Sequence, residues 1–482
     1  MNARALMTTA LLAATLTLAA CGGSGSSGAK TGTVAVVITD APTDIYDRVE
    51  ITLSEMILIG DGGQVELYNG DPITFDLLEM SEWGDLAFAS QVLAGTYNKI
   101  RLQIDGITLY DGDNPGVDLE NLPANGKIDL NPRGPFDVSP GVTTVVALDI
   151  DAKRAFQAVQ TGQGKTQFRP IIFVDVYQDD LILPQRLVRA FGTVEAGSKD
   201  TDSFRLCDLD FISQTNSASP GSADDCIRVH ADGSPGIFGE DGIQTDFASV
   251  GDNQPVTAIG WLGDTDDALA FLGLQAIVLE LGGRAPGTTP GWDTTHGSVT
   301  TELTACDSDQ CFEFDPSADA TDADTVLTRM QPATKVYRAD GVELAQTDVT
   351  TGDSGSVDGF RRQDGTTDEL LAALVVLSTD VGGASAVGTV AGTPTIVGTP
   401  PDGYYIVTVT TDAGPVDVCV AADAAIAQVL VDDGVVTIVD GLSASAIQGG
   451  DRIEAYGDGT DDAPDGSGCA FLATTVILEP AP

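Results

Sequence analysis

Carboxylates are the commonest reactive groups in this 482-residue chain, and two runs of them stand in matching places. Gly263-Asp264-Thr265-Asp266-Asp267-Ala268 and Gly457-Asp458-Gly459-Thr460-Asp461-Asp462-Ala463 each precede an apolar segment. Clustered hard oxygens on a glycine-rich loop suit Ca²⁺, so Asp264, Asp266, Asp267, Asp458, Asp461 and Asp462 are candidate ligands for it. The competing reading, a solvated loop tip, is preferred, and no other cofactor is expected. A third run, Asp111-Gly112-Asp113-Asn114-Pro115-Gly116, starts like an EF-hand loop. Pro115 at position five and Leu122 in place of the bidentate Glu defeat that match. General bases near neutral pH are scarce: His230 and His296 are the only histidines. Neither has a nucleophile-bearing turn beside it in sequence, and no G-x-S-x-G elbow precedes a helix. No catalytic residue is therefore assigned. Trp83, Trp261, Trp292 and the pair Tyr404-Tyr405 could stack on sugar rings, with core packing as the competing role.

The seventh cysteine stands apart from the other six. Arg4 begins a short basic start, Ala5 to Leu18 form an apolar run too short to span a bilayer, and Leu18-Ala19-Ala20 lead into Cys21. This resembles the bacterial lipoprotein signal, in which the cysteine is acylated, freed by cleavage and acylated again. The resemblance implies a signal peptide over residues 1–20, lipid on Cys21, and a Gly/Ser tether over residues 21–31. Each buried acyl CH₂ contributes about 0.8 kcal/mol, and two or more chains anchor firmly. Gly22 stands where Asp would signal inner-membrane retention, so sorting to the outer membrane is the expectation, with the periplasmic or surface face open.

Charge narrows the partners. The chain has 72 acidic and 23 basic residues, a formal net charge of -49. That field repels nucleic acid and anionic head groups, which excludes nucleic acid as a partner. The length calls for several domains. Abundant Gly, Thr, Val and Asp point to turn-rich β structure.

Period-2 alternation bears this out along the chain. Val34, Val36 and Ile38 begin one strand; Val49, Ile51 and Leu53 make another, whose phase slips at Ser54-Glu55 as a bulge would cause. Ile100, Leu102 and Ile104, then Val146, Leu148 and Ile150, then Ile172, Val174 and Val176 complete an antiparallel sandwich over residues 32–178. Leu77 to Ser90 reads as a helix-like insert. Ile38-Thr39-Asp40-Ala41-Pro42, Phe75-Asp76-Leu77-Leu78, the run from Leu93 to Leu102 and Phe168-Arg169-Pro170-Ile171-Ile172 together resemble domain of unknown function 4382. That resemblance implies a carbohydrate-binding-like β-sandwich and carries no catalytic residues.

Three segments then restart alike, at Gly192-Thr193-Val194, Gly297-Ser298-Val299 and Gly388-Thr389-Val390. Each later shows a Gly-Asp step, at 251–252, 352–353 and 450–451, before a strand ending in glycine, and each closes on an apolar strand. The repeats span residues 186–283, 294–380 and 386–481. Arg284 to Asp293, which holds Trp292 beside His296, reads as a linker. The repeats resemble domain of unknown function 5666, which implies small OB-like barrels. Six cysteines allow 15 pairings. Because they fall two to a repeat, Cys207–Cys226, Cys306–Cys311 and Cys419–Cys469 are the economical set, and an oxidising envelope compartment fits them.

The expectation is an all-β, non-enzymatic lipoprotein: one sandwich, then three OB-like barrels. The leading function is binding or adhesion, with glycans as ligand. A structural or assembly scaffold for an envelope complex is the alternative, and a polysaccharide hydrolase stands third.

Overall fold

The computed structural model describes residues 30–480 outside 42–45, 47, 62, 111–115, 120–121, 133, 152–155, 159–165, 169–170, 178–185, 213–225, 264–271, 285–288, 317–324, 365–366, 379–383, 399–402, 412–413, 433–434, 440, 458–462 and 465. It is all-β. Among the described residues the helical segments are 3₁₀ turns of three or four residues.

Two sheets face each other in the N-terminal domain. One orders the strands Ile172–Tyr177, Thr143–Asp151, Thr31–Ala41 and Gly84–Leu93; the other orders Gly63–Asp76, Arg48–Gly60, Gly95–Tyr110 and Lys127–Asn131. Val34, Val36 and Ile38 meet Val49, Ile51, Ile100 and Leu102 in one core between them. The phase slip is a bulge, where the register shifts between Leu53 and Glu55 against both neighbouring strands and Met56 and Leu58 return to the interior.

Two expectations need correction. The sandwich is not purely antiparallel, because Thr33 to Ala41 pairs in parallel with Thr143 to Asp151. The chain builds the whole second sheet between those strands, and that crossover returns it in the same direction. Nor is 77–90 helix-like. Leu77–Met80 is a 3₁₀ turn capped by Asp76, whose Oδ1 accepts the Leu78 N–H at 3.2 Å, and Gly84–Leu93 is a strand. Ala87, Phe88 and Val92 enter the sandwich core while Leu86 and Ala89 enter the next domain's core. A strand buried on both faces carries no alternation to read.

The remaining chain makes one barrel three times. The first uses Val188–Val194, Ser203–Asp210, Cys226–His230, Pro255–Gly263 and Gly273–Leu281. The second uses Gly291–Val299, Asp309–Asp315, Val326–Arg338, Ser354–Asp364 and Thr367–Leu377. The third uses Ala384–Val390, Tyr404–Thr411, Gly414–Asp432, Arg452–Gly457 and Leu472–Glu479. In each, strand one pairs with two, two with three, three in parallel with five, five with four, and four with one. Five strands closed in this order match the OB-like expectation.

The repeated glycines have a shared steric cause. A Cβ on Gly192, Gly297 or Gly388 would collide with a carbonyl oxygen of the second strand, on Cys207, Asp315 and Thr410 respectively. A Cβ on Gly260, Gly359 or Gly457 would do the same against the fifth strand. Gly260 and Gly359 also sit at register shifts. Closing so small a barrel bends its strands sharply, and glycine lets the backbones approach at the corners.

Sheets run across the sequence boundaries. Gly84 and Asp85 pair in parallel with Val188 and Arg189, so the first sandwich sheet continues into barrel one. At the other side, the long third strand of barrel three turns back into Val435–Val439, which pairs in parallel with Lys127–Asn131 of the second sandwich sheet. Ala427, Val429, Ile438 and Ile477 join the sandwich core there.

Three disulfides lie one to a barrel: Cys207–Cys226, Cys306–Cys311 and Cys419–Cys469, with sequence separations of 19, 5 and 50. In the chain-entropy account longer loops stabilise more. Replacing Cys419 and Cys469 by alanine is therefore expected to cost about 4 kcal/mol in urea unfolding, against about 2 kcal/mol for Cys306 and Cys311. Equal costs would contradict the loop-length argument.

Candidate functional site

The segment after Gly63–Asp76 places Glu79, Glu82, Trp83 and Asp85 close together in sequence, and it lies where the sandwich meets the first two barrels. Barrel one supplies Arg186 just before its first strand and Arg189 within it, and Glu280 near the end of its fifth strand and Arg284 just beyond it. Barrel two supplies two cross-strand pairs, Thr294 opposite Asp358 and His296 opposite Ser356. Trp83, Leu187, Ile259, Trp292 and Phe360 pack around these polar groups.

Arg189 is fully buried and grips Asp85 with both arms, at 2.7 and 2.8 Å. Its remaining nitrogen donates to Asp358 at 3.1 Å and to Thr294 Oγ1 at 2.6 Å. The guanidinium lies 5.0 Å from the Trp83 ring centre. Arg284 donates to Glu280 at 2.8 Å and also to Asp358. One arginine thus ties sandwich to both barrels, and Asp358 is shared by two arginines. Burial pulls both guanidinium pKa values down. Asp85 and Asp358 outweigh this at Arg189, and Asp358 and Glu280 outweigh it at Arg284, holding both charged.

Asp85, Asp358 and Glu280 face Arg189 and Arg284, so these buried groups hold one carboxylate more than guanidinium. Burial and the Asp358 charge push Glu280 up to about 8. Half-buried Glu79 is pushed to about 8 by burial and by Asp76. A group whose folded pKa is raised stabilises most below its unfolded value and loses that contribution as pH rises through the folded one. The Glu280 contribution is thus present below pH 4.5 and fades toward about 8. Urea midpoints are expected to fall from pH 5 to pH 9, and Glu280→Gln should flatten that fall. An unchanged slope in the variant would remove Glu280 from the account.

His296 meets two partners that lie far off in sequence. Its Nδ1 is 3.1 Å from Ser356 Oγ and 3.3 Å from Glu82 Oε2, and Ser356 Oγ donates to Glu82. Ser, His and carboxylate types have converged, but not as a relay. A triad uses both ring nitrogens, one toward the nucleophile and one toward the acid. Here both partners share Nδ1, and Ser356 is 1% exposed. Burial pushes the Glu82 carboxyl up, while the His296 charge, hydrogen bonds from His296 and Ser356, and Arg186 outweigh it and hold it below the usual range. Arg186 also donates to the carbonyls of Ser81 and Asp40, at 2.8 and 3.3 Å. This is a clasp between sandwich and barrel two.

Residues 31–170 match the family described as "Domain of unknown function (DUF4382)". No curated protein matches the chain. A solved structure described as "Structural mimicry for functional antagonism" is similar at 11% identity and a TM-score of 0.14, over 41% of this chain and 92% of that one. A likeness that slight carries no argument. The DUF4382 match covers the sandwich short of its strand Ile172–Tyr177 and includes Glu79, Glu82, Trp83 and Asp85 of the junction, whereas Arg189, Arg284, His296 and Asp358 lie beyond it.

The other candidates fall in varied places. His230 ends the third strand of barrel one, opposite Ser203, away from the junction. Trp83 and Trp292 are buried, the latter with Nε1 donating to Leu281 O at 2.9 Å, so neither offers a face to a sugar. Trp292 and His296 belong to the strand Gly291–Val299 rather than to a linker, because Trp292 anchors that strand in the inter-barrel core. Trp261 packs edge-on against Tyr337. Tyr404 and Tyr405 are half-buried on the second strand of barrel three. Cys21, Asp264, Asp266, Asp267, Asp458, Asp461 and Asp462 lie outside the described residues. In sequence both acidic runs fall between a fourth strand and a fifth. Among the described residues no group of three or more His, Cys, Asp or Glu is arranged to hold a metal.

Proposed function

We propose that this chain is a lipid-anchored, non-enzymatic binding or adhesion protein of the cell envelope, with glycans as its ligand class. One observation carries the reading. The Glu82, His296 and Ser356 convergence, whose residue types would suit hydrolysis, is built into a domain joint with its serine buried. A stiff body then stands on the tether of residues 21–31, presenting barrel faces and loops outward. Its acidity suits solvation and favours uncharged ligands over anionic ones. The proposal takes the three repeats as similar to domain of unknown function 5666 and includes sorting to the outer membrane.

A scaffold for an envelope complex is the second reading. Continuous sheets across the sandwich, barrel one and barrel three favour it, since a spacer gains from stiffness.

A glycan array and affinity electrophoresis with the mature chain test the proposal. Retention by at least one polysaccharide without release of reducing sugar supports binding. Release of reducing sugar contradicts it, and silence across the array with a stable co-purifying envelope protein favours the scaffold.

A further inference from the structure

The crease between barrels one and two holds an open cleft of about 700 Å³. Barrel one contributes Glu240 and Asp241, barrel two contributes Phe360, Arg362 and Gln363, and Thr289-Pro290 come from the segment between them. The size falls within the range of about 300–1,000 Å³ usual for small-ligand sites.

Its two sides are held in place by bonds between the barrels. Gln331 Nε2 donates to Gly242 O at 2.7 Å, Gln244 N donates to Gln331 Oε1 at 2.9 Å, and Ala333 N donates to Gln244 Oε1 at 3.1 Å. Gly242, at φ +73°, lies so close to Phe360 that a Cβ there would collide with it. A cleft fixed in advance spares a ligand much of the ordering cost of binding.

The chemistry of the lining selects a class. Glu240 accepts from Gln254 at 3.3 Å, and Asp241 Oδ1 accepts from Ile243 N–H in its own turn at 3.1 Å. Each carboxylate has about four lone-pair sites, so both retain capacity for hydroxyl donors. Arg362 is steadied by Glu369 at 2.8 Å and, with Gln363, brings donors from the opposite barrel. Phe360 is 8% exposed and supplies an apolar base rather than a stacking platform. Acceptors on one side, donors on the other and an apolar base between them match a sugar ring, whose hydroxyls both donate and accept around C–H faces.

We propose that this cleft is a saccharide subsite that takes neutral hexose units and rejects uronates. The proposal rests on the glycan-binding reading above and names its site. Glu240 and Asp241, within a chain of net charge -49, repel an anionic sugar.

The test is titration calorimetry of the full chain with a soluble neutral glucan, a soluble mannan and alginate. The wild type is compared with Glu240→Ala/Gln363→Ala, two exposed positions whose change leaves both cores intact. Loss of two hydrogen bonds predicts binding weakened about tenfold or more, with the melting temperature unchanged. Neutral-polymer binding lost in the variant, with alginate unbound, supports the subsite. Binding retained in the variant overturns the subsite while glycan binding stands, and alginate bound as tightly as glucan overturns the charge argument. If no polysaccharide binds and a peptide ligand is found, both the subsite and the glycan reading fall.

Discussion

Asp358→Ala is expected to destabilise the protein by about 3–5 kcal/mol, because two buried hydrogen bonds between charged groups are lost at about 1.5–3 kcal/mol each, although Arg189 keeps Asp85 and Arg284 keeps Glu280. Two arginines lose a carboxylate at once, since Asp358 bonds both Arg189 and Arg284. Burial removes the alternative of solvating them, for Arg189 and Asp358 are both 0% exposed. Urea unfolding followed by tryptophan fluorescence suits the measurement, because Trp83 and Trp292 sit in the same interface. A double replacement, Asp85→Leu with Arg189→Met, removes charge on both sides and should cost less than Asp358→Ala despite changing more atoms. A loss within 1 kcal/mol for Asp358→Ala would mean that water reaches the junction.

Cys21→Ser is expected to move the protein wholly from the membrane fraction to the soluble fraction and to abolish labelling by a fatty-acid probe. At about 0.8 kcal/mol per buried CH₂, several acyl chains hold a protein far more tightly than its surface could. The acidic surface, net charge -49, gives no electrostatic hold on anionic head groups to compensate. A variant that still sediments with membranes in detergent-free buffer would contradict the anchor.

The barrels and the sandwich were legible because their strands alternate and their corners need glycine. Gly192, Gly297 and Gly388 recur for a steric reason, so they mark equivalent strands even where the neighbouring residues have diverged. The segment from Leu77 to Ser90 reads as helix-like in sequence because burial of the strand Gly84–Leu93 on two faces erases its period. The junction was overlooked for a related reason. Asp85 precedes Leu86-Ala87-Phe88, Arg189 follows Leu187-Val188, and Glu280 lies between Leu279 and Leu281. Each is a single charge in an apolar strand, and a buried charge requires a partner. That was a readable signal. Which charges pair was not, since Asp85 and Asp358 converge on Arg189 from 104 and 169 residues away. The union of barrel three with the sandwich left even less trace, because nothing in the residues of Val435–Val439 or Lys127–Asn131 names the other as its partner.

The central claim is that sandwich and barrels form one body, joined by continuous sheets and the buried charge cluster. Native-state hydrogen exchange of the mature chain tests this most directly. The Gly84 N–H, which donates to Leu187 O at 2.8 Å, and the amides joining Lys127–Asn131 to Val435–Val439 report on the two seams. Exchange there should be as slow as in the barrel cores around Val256 and Val476, and Asp358→Ala should speed it at Gly84 first. Seam amides that exchange at the rate of frayed ends, while those cores stay protected, would show four independent domains on a string and contradict the account.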